Sequence, residues 1–437
     1  MAGLSGSFFA DEAVDTPYWW EAAKPAAAPA GTVPERTEVA IIGAGFTGLN
    51  AAITLAKAGK QVTVFDAEAP GWGASSRNGG MLGPGWAFFD NAMATLGPQK
   101  ARAIVEESFE ALQHVKDVVA RERIDCDLAE VGYFKGAMNQ RIYDALGRQI
   151  ERIKAVMPCD AYLVARSEQH AEIGSDLYHG GIAMPGYCGL HPARYVQGLA
   201  EAARRAGAEI IGGARATELR AQPGGFGFSV QGRKVSAGQV LVSTNGYTDG
   251  LSPYLQRRII PIRSAIIATE PLAPGVMDRL MPRRRMLAGS QRVVTYYRPS
   301  PDGTRIVFGG RVLKLYGDDV AHTNAAHLRK QMLQVFPELE RTKISHYWHG
   351  QTGFTFDKMP HLGEHEGLFF SCGYNGTGVA RASWLGHRIA EQMLGRLTTP
   401  SPYAGLPFRS RPLYRGRPWF LPLAVLFYEM LDRWEQR

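Results

Sequence analysis

Apolar residues recur along this chain with two different periods. Residues 39–42 (VAII) form a short unbroken apolar run, the pattern of a strand buried on both faces of a parallel sheet. Leu49, Ile53 and Ala56 then repeat at helical spacing, Gly59 is placed to end that helix, and 61–65 reads as a second strand. Helical periodicity returns over 99–123 and 140–156, with a short strand beginning at Val131 between them. His191 near a cap, Pro192 at a first helical position and Gly207 as a stop bracket a further amphipathic helix, and Glu209–Ile211 follows as a strand. The stretch 225–248 holds strands broken by short turns. It finishes in an apolar strand that runs into Ser243, Thr244, Asn245 and Gly246.

From Ile259 the pattern becomes that of an antiparallel sheet. The segment QRVVTYYRPSPDGTRIVFGGR predicts a hairpin, because Pro301, Asp302 and Gly303 are turn chemistry between two alternating strands. A helix over 321–336 and a strand in KISHYWHG follow. GLFFSCGYNGTGVARASWLGHRIAEQMLG then reads as apolar strand, glycine turn and long helix. Segments of the two styles interleave. The expected fold class is therefore mixed α/β. A Rossmann-like domain is assembled from 36–125, 185–255 and 350–400, and an antiparallel-sheet domain from 126–184 and 256–349. Residues 1–35 read as an N-terminal extension with a flexible lead-in at 22–31, and 401–437 as a C-terminal tail.

Composition narrows the classes. The chain has 437 residues, 45% hydrophobic and 21% charged, enough for two domains with sizeable cores. No run of 18 apolar residues appears, and the N-terminus lacks a basic segment followed by an apolar core, so neither a spanning helix nor a secretion signal is expected. Four scattered cysteines (126, 159, 188 and 372) make no CxxC pair or disulfide framework and fit a reducing cytoplasm. The histidines lack metal-ligand spacing, so no metal site is expected. The net charge of +8 is concentrated in MPRRRM and FRSRPLYRGRPW and reads as a solvated basic surface; no nucleic-acid-binding module is recognisable.

The chemistry lies in the glycines. Gly43, Gly45 and Gly48 stand at GxGxxG spacing between the first strand and helix, with Ala44, Phe46 and Thr47 completing the turn. Gly43 permits the tight turn, Gly45 has no side chain to block a pyrophosphate, and Gly48 lets helix and strand pack closely. Asp66, at the end of the second strand, is where a carboxylate accepts bonds from ribose hydroxyls. Strand, helix, strand and acid in this order predict a dinucleotide site. A nicotinamide dehydrogenase needs one such turn, but this chain has further glycine-rich sites at 71–80, 245–246 and 373–378. FAD is longer and carries a wide tricyclic ring, so more backbone must approach it. Ser75 and Ser76 are placed to donate to its phosphate or ribityl oxygens. The 373–378 turn opens a helix whose dipole favours negative charge on a reduced flavin.

IIGAGFTGLNAAITLAKAG, GWGASSRNGG, VLVSTNGYT and FFSCGYNGTGV resemble the signature segments of the D-amino-acid oxidase family of FAD enzymes. The early YWWEAA and GASSRNGG make the chain most similar to the gamma-glutamylputrescine oxidase branch, beside glycine oxidase and sarcosine oxidase. The resemblance implies an FAD-binding α/β domain and an antiparallel sheet whose face covers the flavin. It implies that Gly43, Gly45, Gly48 and Asp66 hold the ADP half, and that Ser75, Ser76, Arg77, Asn78, Gly79 and Gly80 lie along the ribityl chain and ring. Thr244 and Gly246 would close on the nucleotide side, and Gly373, Asn375, Gly376, Thr377 and Gly378 would meet the pyrimidine edge. Where sarcosine oxidase relatives attach flavin through cysteine, this chain has Thr352, so non-covalent FAD is expected. Where those relatives place a lysine that aids reaction with oxygen, Arg311 comes first, which leaves a dehydrogenase open.

The implied reaction passes hydride from the α-carbon of a neutral amine or amino acid to flavin N5. The imine hydrolyses, and O2 or a quinone reoxidises the flavin. Tyr296 and Tyr297 before the hairpin turn and Arg311 after it are the candidate catalytic-site and substrate contacts, the arginine because its fork matches a carboxylate. Trp348 and His349 read as core, with the wall of the same cleft as the alternative. A nicotinamide-linked dehydrogenase, a flavin-binding subunit that has lost its site, and a tRNA-modifying relative are the alternatives. In the tail, an apolar stretch at 419–428 flanked by arginines is too short to cross a bilayer. It either docks on the protein or a second subunit, or lies in a membrane interface. The oligomeric state is not readable from the sequence.

Overall fold

The computed structural model describes residues 4–26, 32–84, 86, 88–312, 314, 319–421, 423, 427, 430 and 431. Two large sheets carry the fold. In the first, five parallel strands run in the order Glu209–Ile211, Val62–Phe65, Arg36–Ile42, Arg233–Val242 and Leu368–Cys372. Ile42 is in register with both Phe65 and Val242, and Val242 with Phe370. The C-terminal ends of these strands therefore lie along one edge. The turns at 43–48, 243–246 and 373–378 leave from that edge, where ligands of open α/β sheets bind. Antiparallel strands Gly225–Val230 and Ala216–Gln222 extend the sheet, and His361–His365 pairs with Leu368–Cys372.

The helix Phe46–Lys57 follows the first turn because Leu49, Ile53 and Leu55 bury one side while nothing charged enters its first three turns. It packs with Gly378–Met393 and Pro98–Glu122 in one apolar core. The second sheet takes the order Phe9–Val14, Ile344–Thr355, Ile259–Thr269, Ile306–Arg311, Tyr296–Pro299, Met286–Gly289, Tyr133–Gly136, Gly181–Met184 and Tyr162–Val164. It is antiparallel except at two pairs, Phe9–Val14 with Ile344–Thr355 and Met286–Gly289 with Tyr133–Gly136. The helix Val320–Val335 covers one face of it.

The mixed α/β expectation is borne out. So is the hairpin: Tyr296 pairs with Gly309 and Pro299 with Ile306 around a turn in which Gly303 takes φ +72°. Two features differ from the sequence reading. The strand seen in KISHYWHG runs on to Thr355, through Gly350 and Gly353; glycine is needed at 353, where a Cβ would meet Asn245 Oδ1 at 2.1 Å. The N-terminal extension is also part of the fold. Phe9–Val14 is an edge strand, Trp19 is fully buried, and Trp20 begins the short helix Trp20–Ala23. Of the lead-in at 22–31, residues 27–31 lie outside the described residues. No helix among the described residues is long and apolar enough to cross a membrane.

Candidate active site

The three glycines of the first turn do three different things. Gly43 sits at φ +109°, a backbone that side chains rarely adopt. A Cβ on Gly48 would stand 2.0 Å from the Gly43 carbonyl oxygen, so this glycine is where helix and strand touch. At Gly45 an added Cβ would meet only the Ser75 side chain, its hydroxyl at 2.9 Å, so the bare face of this glycine borders one side chain and space rather than backbone. The Ala44 N–H donates to Asp66 Oδ2 at 2.7 Å, and the Glu68 N–H donates to Asp66 Oδ1 at 2.9 Å. Burial nonetheless pushes the Asp66 carboxyl up to about 6. Phe46 packs against Tyr195, and the Thr47 hydroxyl is taken up by Tyr374 at 2.6 Å, so these two serve the core.

The loop that follows the second strand links this turn to a cavity. At its start, Ser75 Oγ accepts from the Phe46 N–H at 3.0 Å. The Asn78 side chain then ties the loop on itself, donating to Ala74 and Ser75 and accepting from the Gly80 N–H at 2.8 Å. Arg77 donates to the Trp72 and His349 carbonyls and lies over the rings of Trp72 and Trp20, at 4.3 and 4.6 Å. Gly80 takes φ +67°, with the Leu190 carbonyl where its Cβ would be. Ser76 is fully buried, and its hydroxyl accepts from Trp20 Nε1 at 3.0 Å, so it is spent on holding the N-terminal segment.

The cavity has a volume of about 540 Å³. Arg77, Asn78 and Gly79 line it from the loop, and Asn375, Gly376 and Thr377 from the turn before the helix Gly378–Met393. Asn375 is fixed at φ 52°; it accepts from the Thr355 N–H at 3.1 Å and donates to the Gly373 carbonyl. Gly373 itself is held from the other side, its N–H donating to Asn245 Oδ1 at 2.9 Å. Gly246 backs directly onto the backbone of residues 351–353, and the Thr244 hydroxyl pairs with that of Thr248. These two brace the turn and do not line the cavity.

The second sheet supplies the opposite wall. Tyr296, Arg311, Ser264 and Thr352 line it. Burial raises the Tyr296 phenol above its ordinary range. Arg311 is in register with Ser264, and its guanidinium lies 5.2 Å from the Phe354 ring centre. Tyr297 is not brought there. The two-residue period of the strand turns it to the other face, where its hydroxyl meets that of Tyr178 at 2.8 Å in the core under Val320–Val335. Trp348 and His349 also stay out: Trp348 Nε1 donates to the Arg77 carbonyl at 2.8 Å, and burial lowers the His349 imidazole to about 4. Among the described residues no aspartate or glutamate lines the cavity, while Arg77, Lys135, Arg311 and Arg381 do.

Four residues shape this site in ways that the sequence did not show. Arg298, fully buried, donates to the carbonyls of Gly80 and Leu190 at 3.0 and 2.8 Å and so clamps the loop. Trp20, Asn245 and Lys135 are the others. For Trp20 the early signal was the tryptophan pair of YWWEAA.

The donor set fits a long dinucleotide. A glycine turn at a strand end, an acid beside it, a tied loop and a helix N-terminus succeed one another from Asp66 to the cavity, with bare backbone at each step. Comparison with known proteins agrees. Residues 38–392 match the family model DAO, described as FAD dependent oxidoreductase. "Probable oxidoreductase OrdL" of Rhizobium meliloti (strain 1021) is 32% identical over 422 residues, covering 92% of this chain and 96% of that protein. "Gamma-glutamylputrescine oxidoreductase" of Escherichia coli (strain K12) is 30% identical over 404 residues, covering 91% and 93%. Glycine oxidase from Geobacillus kaustophilus shares the fold with a TM-score of 0.70 at 21% identity, over 87% of this chain and 99% of that one. The turns, the acid and the cavity are thus those of a chain that belongs to the DAO family of FAD dependent oxidoreductases.

Proposed function

We propose that this enzyme oxidises the C–N bond of an amine or amino acid carrying a carboxylate, with FAD held non-covalently. One observation carries the reading: the loop at 74–79, the turn at 375–377 and a cationic face of the second sheet meet on one cavity that no described carboxylate lines. When bound, FAD supplies a two-electron acceptor for the substrate's C–H hydride. The backbone of Gly43 to Gly48 would take the pyrophosphate, Asp66 a ribose and the Asn375 to Gly378 turn the pyrimidine edge.

The protein's own part is positioning and electrostatics. Arg311 takes the substrate carboxylate, and the Tyr296 ring beside it limits where the α-carbon can lie. The cationic lining disfavours an ammonium and favours the free amine, whose lone pair is needed as the C–H bond breaks. The substrate loses one hydride and one N–H proton, and water adds to the resulting imine to give a carbonyl compound and a released amine or ammonia. Non-covalent attachment is supported by the absence of any cysteine among the described lining residues and by Thr352 at the cavity wall.

The electron acceptor is O2 or a quinone. A peripheral membrane contact, which would favour a quinone, has its support in the exposed side chains of Trp419, Leu423, Phe427 and Met430. Before them Tyr414 is buried, its hydroxyl donating to the Ile259 carbonyl at 2.7 Å, so the start of the tail docks on the protein. The rest of the stretch lies largely outside the described residues. Turnover of carboxylate-bearing amines, followed by carbonyl product with oxygen or a soluble quinone, tests the reading. Product from none of them would reject it.

A further inference from the structure

Lys135 lies in the strand Tyr133–Gly136, and its side chain lines the cavity. Among the described residues its ammonium makes no hydrogen bond or ion pair. Of the other three cations of the lining, Arg77 is held by carbonyls and tryptophan rings, while Arg311 lies over Phe354 and Arg381 over Phe88. The carboxylate that acts on Lys135 is Asp90, which already accepts from Arg152 at 2.9 Å and Gln149 at 2.6 Å. Burial depresses the pKa of Lys135 despite that charge. Lys135 is half-buried at the cavity wall. A desolvated, unpaired ammonium is costly and is normally compensated by a partner.

Register locates it relative to the reacting end. Lys135 pairs with Ala288, Ala288 with Tyr296, and Tyr296 with Gly309, two residues before Arg311. Three strand spacings separate Lys135 from Gly309, on the order of 14 Å, and side chains stand roughly perpendicular to a sheet. The two cations therefore stand at separate places along the cavity wall. The wall around Lys135 is apolar: Ile182 is its partner across the next strand, Met184 lies beside it, and Tyr133 and Tyr187 stack with centres 4.9 Å apart.

We propose that Lys135 is the counter-charge for an anionic group at the far end of the substrate. The enzyme then acts on elongated amines in which an apolar spacer separates the reacting C–N bond from a terminal carboxylate. This rests on the reading of Arg311 as the anchor near the reacting carbon.

The test is calorimetric titration of the FAD-loaded protein with unreactive straight-chain monocarboxylates and α,ω-dicarboxylates of increasing length. The parent, Lys135→Met and Lys135→Arg are compared, with FAD content and melting temperature checked for each. We expect the parent to prefer a dicarboxylate of matching length over the monocarboxylate by about tenfold or more, the worth of one partly buried charge-assisted pair. Lys135→Met should lose that preference at unchanged monocarboxylate affinity, and Lys135→Arg should retain most of it. A folded Lys135→Met that keeps the preference, or a parent that shows none, overturns the proposal and leaves amine oxidation standing. A parent that prefers dicarboxylates through Lys135 yet turns over no amine supports this site and overturns the proposed function instead.

Discussion

Replacing Gly48 and Gly45 separately by alanine should divide packing from ligand binding. In Gly48→Ala the new methyl would stand 2.0 Å from the Gly43 carbonyl oxygen, 2.8 Å from Ser243 Oγ and 3.1 Å from Ile41 Cγ2. The nearest atom is backbone at both ends of the contact, so relief requires the helix Phe46–Lys57 to move off its strand by about 1 Å. Overpacking in a core costs about 1–3 kcal/mol, and a backbone contact belongs at the upper end. At about 2.1 cal/mol/K per residue, 437 residues give an unfolding entropy of roughly 0.9 kcal/mol/K, so about 3 kcal/mol lowers Tm by about 3 °C. In Gly45→Ala the methyl meets only Ser75 Oγ at 2.9 Å, which can turn aside at the cost of its bond from the Phe46 N–H. Its apoprotein should melt within about 1 °C of the parent. FAD should reverse the ranking. Gly45→Ala should bind it weakly, and Gly45→Val not at all, while Gly48→Ala retains measurable affinity once folded. The assay is apoprotein melting by circular dichroism, with fluorescence quenching of added FAD. A Gly48→Ala apoprotein that melts with the parent, or a Gly45→Val protein with full FAD occupancy, would refute this division of roles.

Three further outcomes follow from the same geometry. Asp66 accepts ribose hydroxyls most strongly when ionised, and burial holds its carboxyl at about 6 in the apoprotein. FAD affinity should therefore fall by up to about tenfold per pH unit below that point, with Asp66→Asn flattening the profile; an unchanged slope in the variant would assign the titration to another group. Asn245→Ala leaves the Gly373 N–H without its 2.9 Å acceptor. The expected loss is about 1–3 kcal/mol in urea unfolding together with faster FAD release, and an unshifted urea midpoint would dismiss the brace. Arg311→Ala should cut kcat/KM for a carboxylate-bearing amine by about 2 kcal/mol or more, with Arg311→Lys recovering only part; parent-like kinetics in both would put the anchor elsewhere.

What the sequence made legible was what it encodes locally. The first glycine turn, Asp66 and the turn at 373–378 follow strands and open helices at fixed spacing, so short-range pattern sufficed to align them. Arg298 was not legible as a clamp, because its acceptors come from residues 80 and 190 and only the folded chain brings them together. Tyr296 and Tyr297 could not be told apart, since both faces of that strand are buried and both accept an aromatic ring; period two then sends one to the cavity and the other to the core. Ser76 looked like a phosphate donor until Trp20, 56 positions away, took its hydroxyl. Lys135 stood inside an ordinary strand pattern, and only cross-strand register places it in line with Tyr296.

The central claim is that an amine substrate delivers its electrons to FAD in this cavity. Anaerobic mixing of the purified FAD-loaded protein with a panel of amines and amino acids, followed by the visible flavin band, tests it most directly. The account predicts bleaching by carboxylate-bearing amines, one carbonyl product per flavin reduced, and slower bleaching in Arg311→Ala. Flavin that stays oxidised with every amine, while a chemical reductant bleaches it normally, would contradict it.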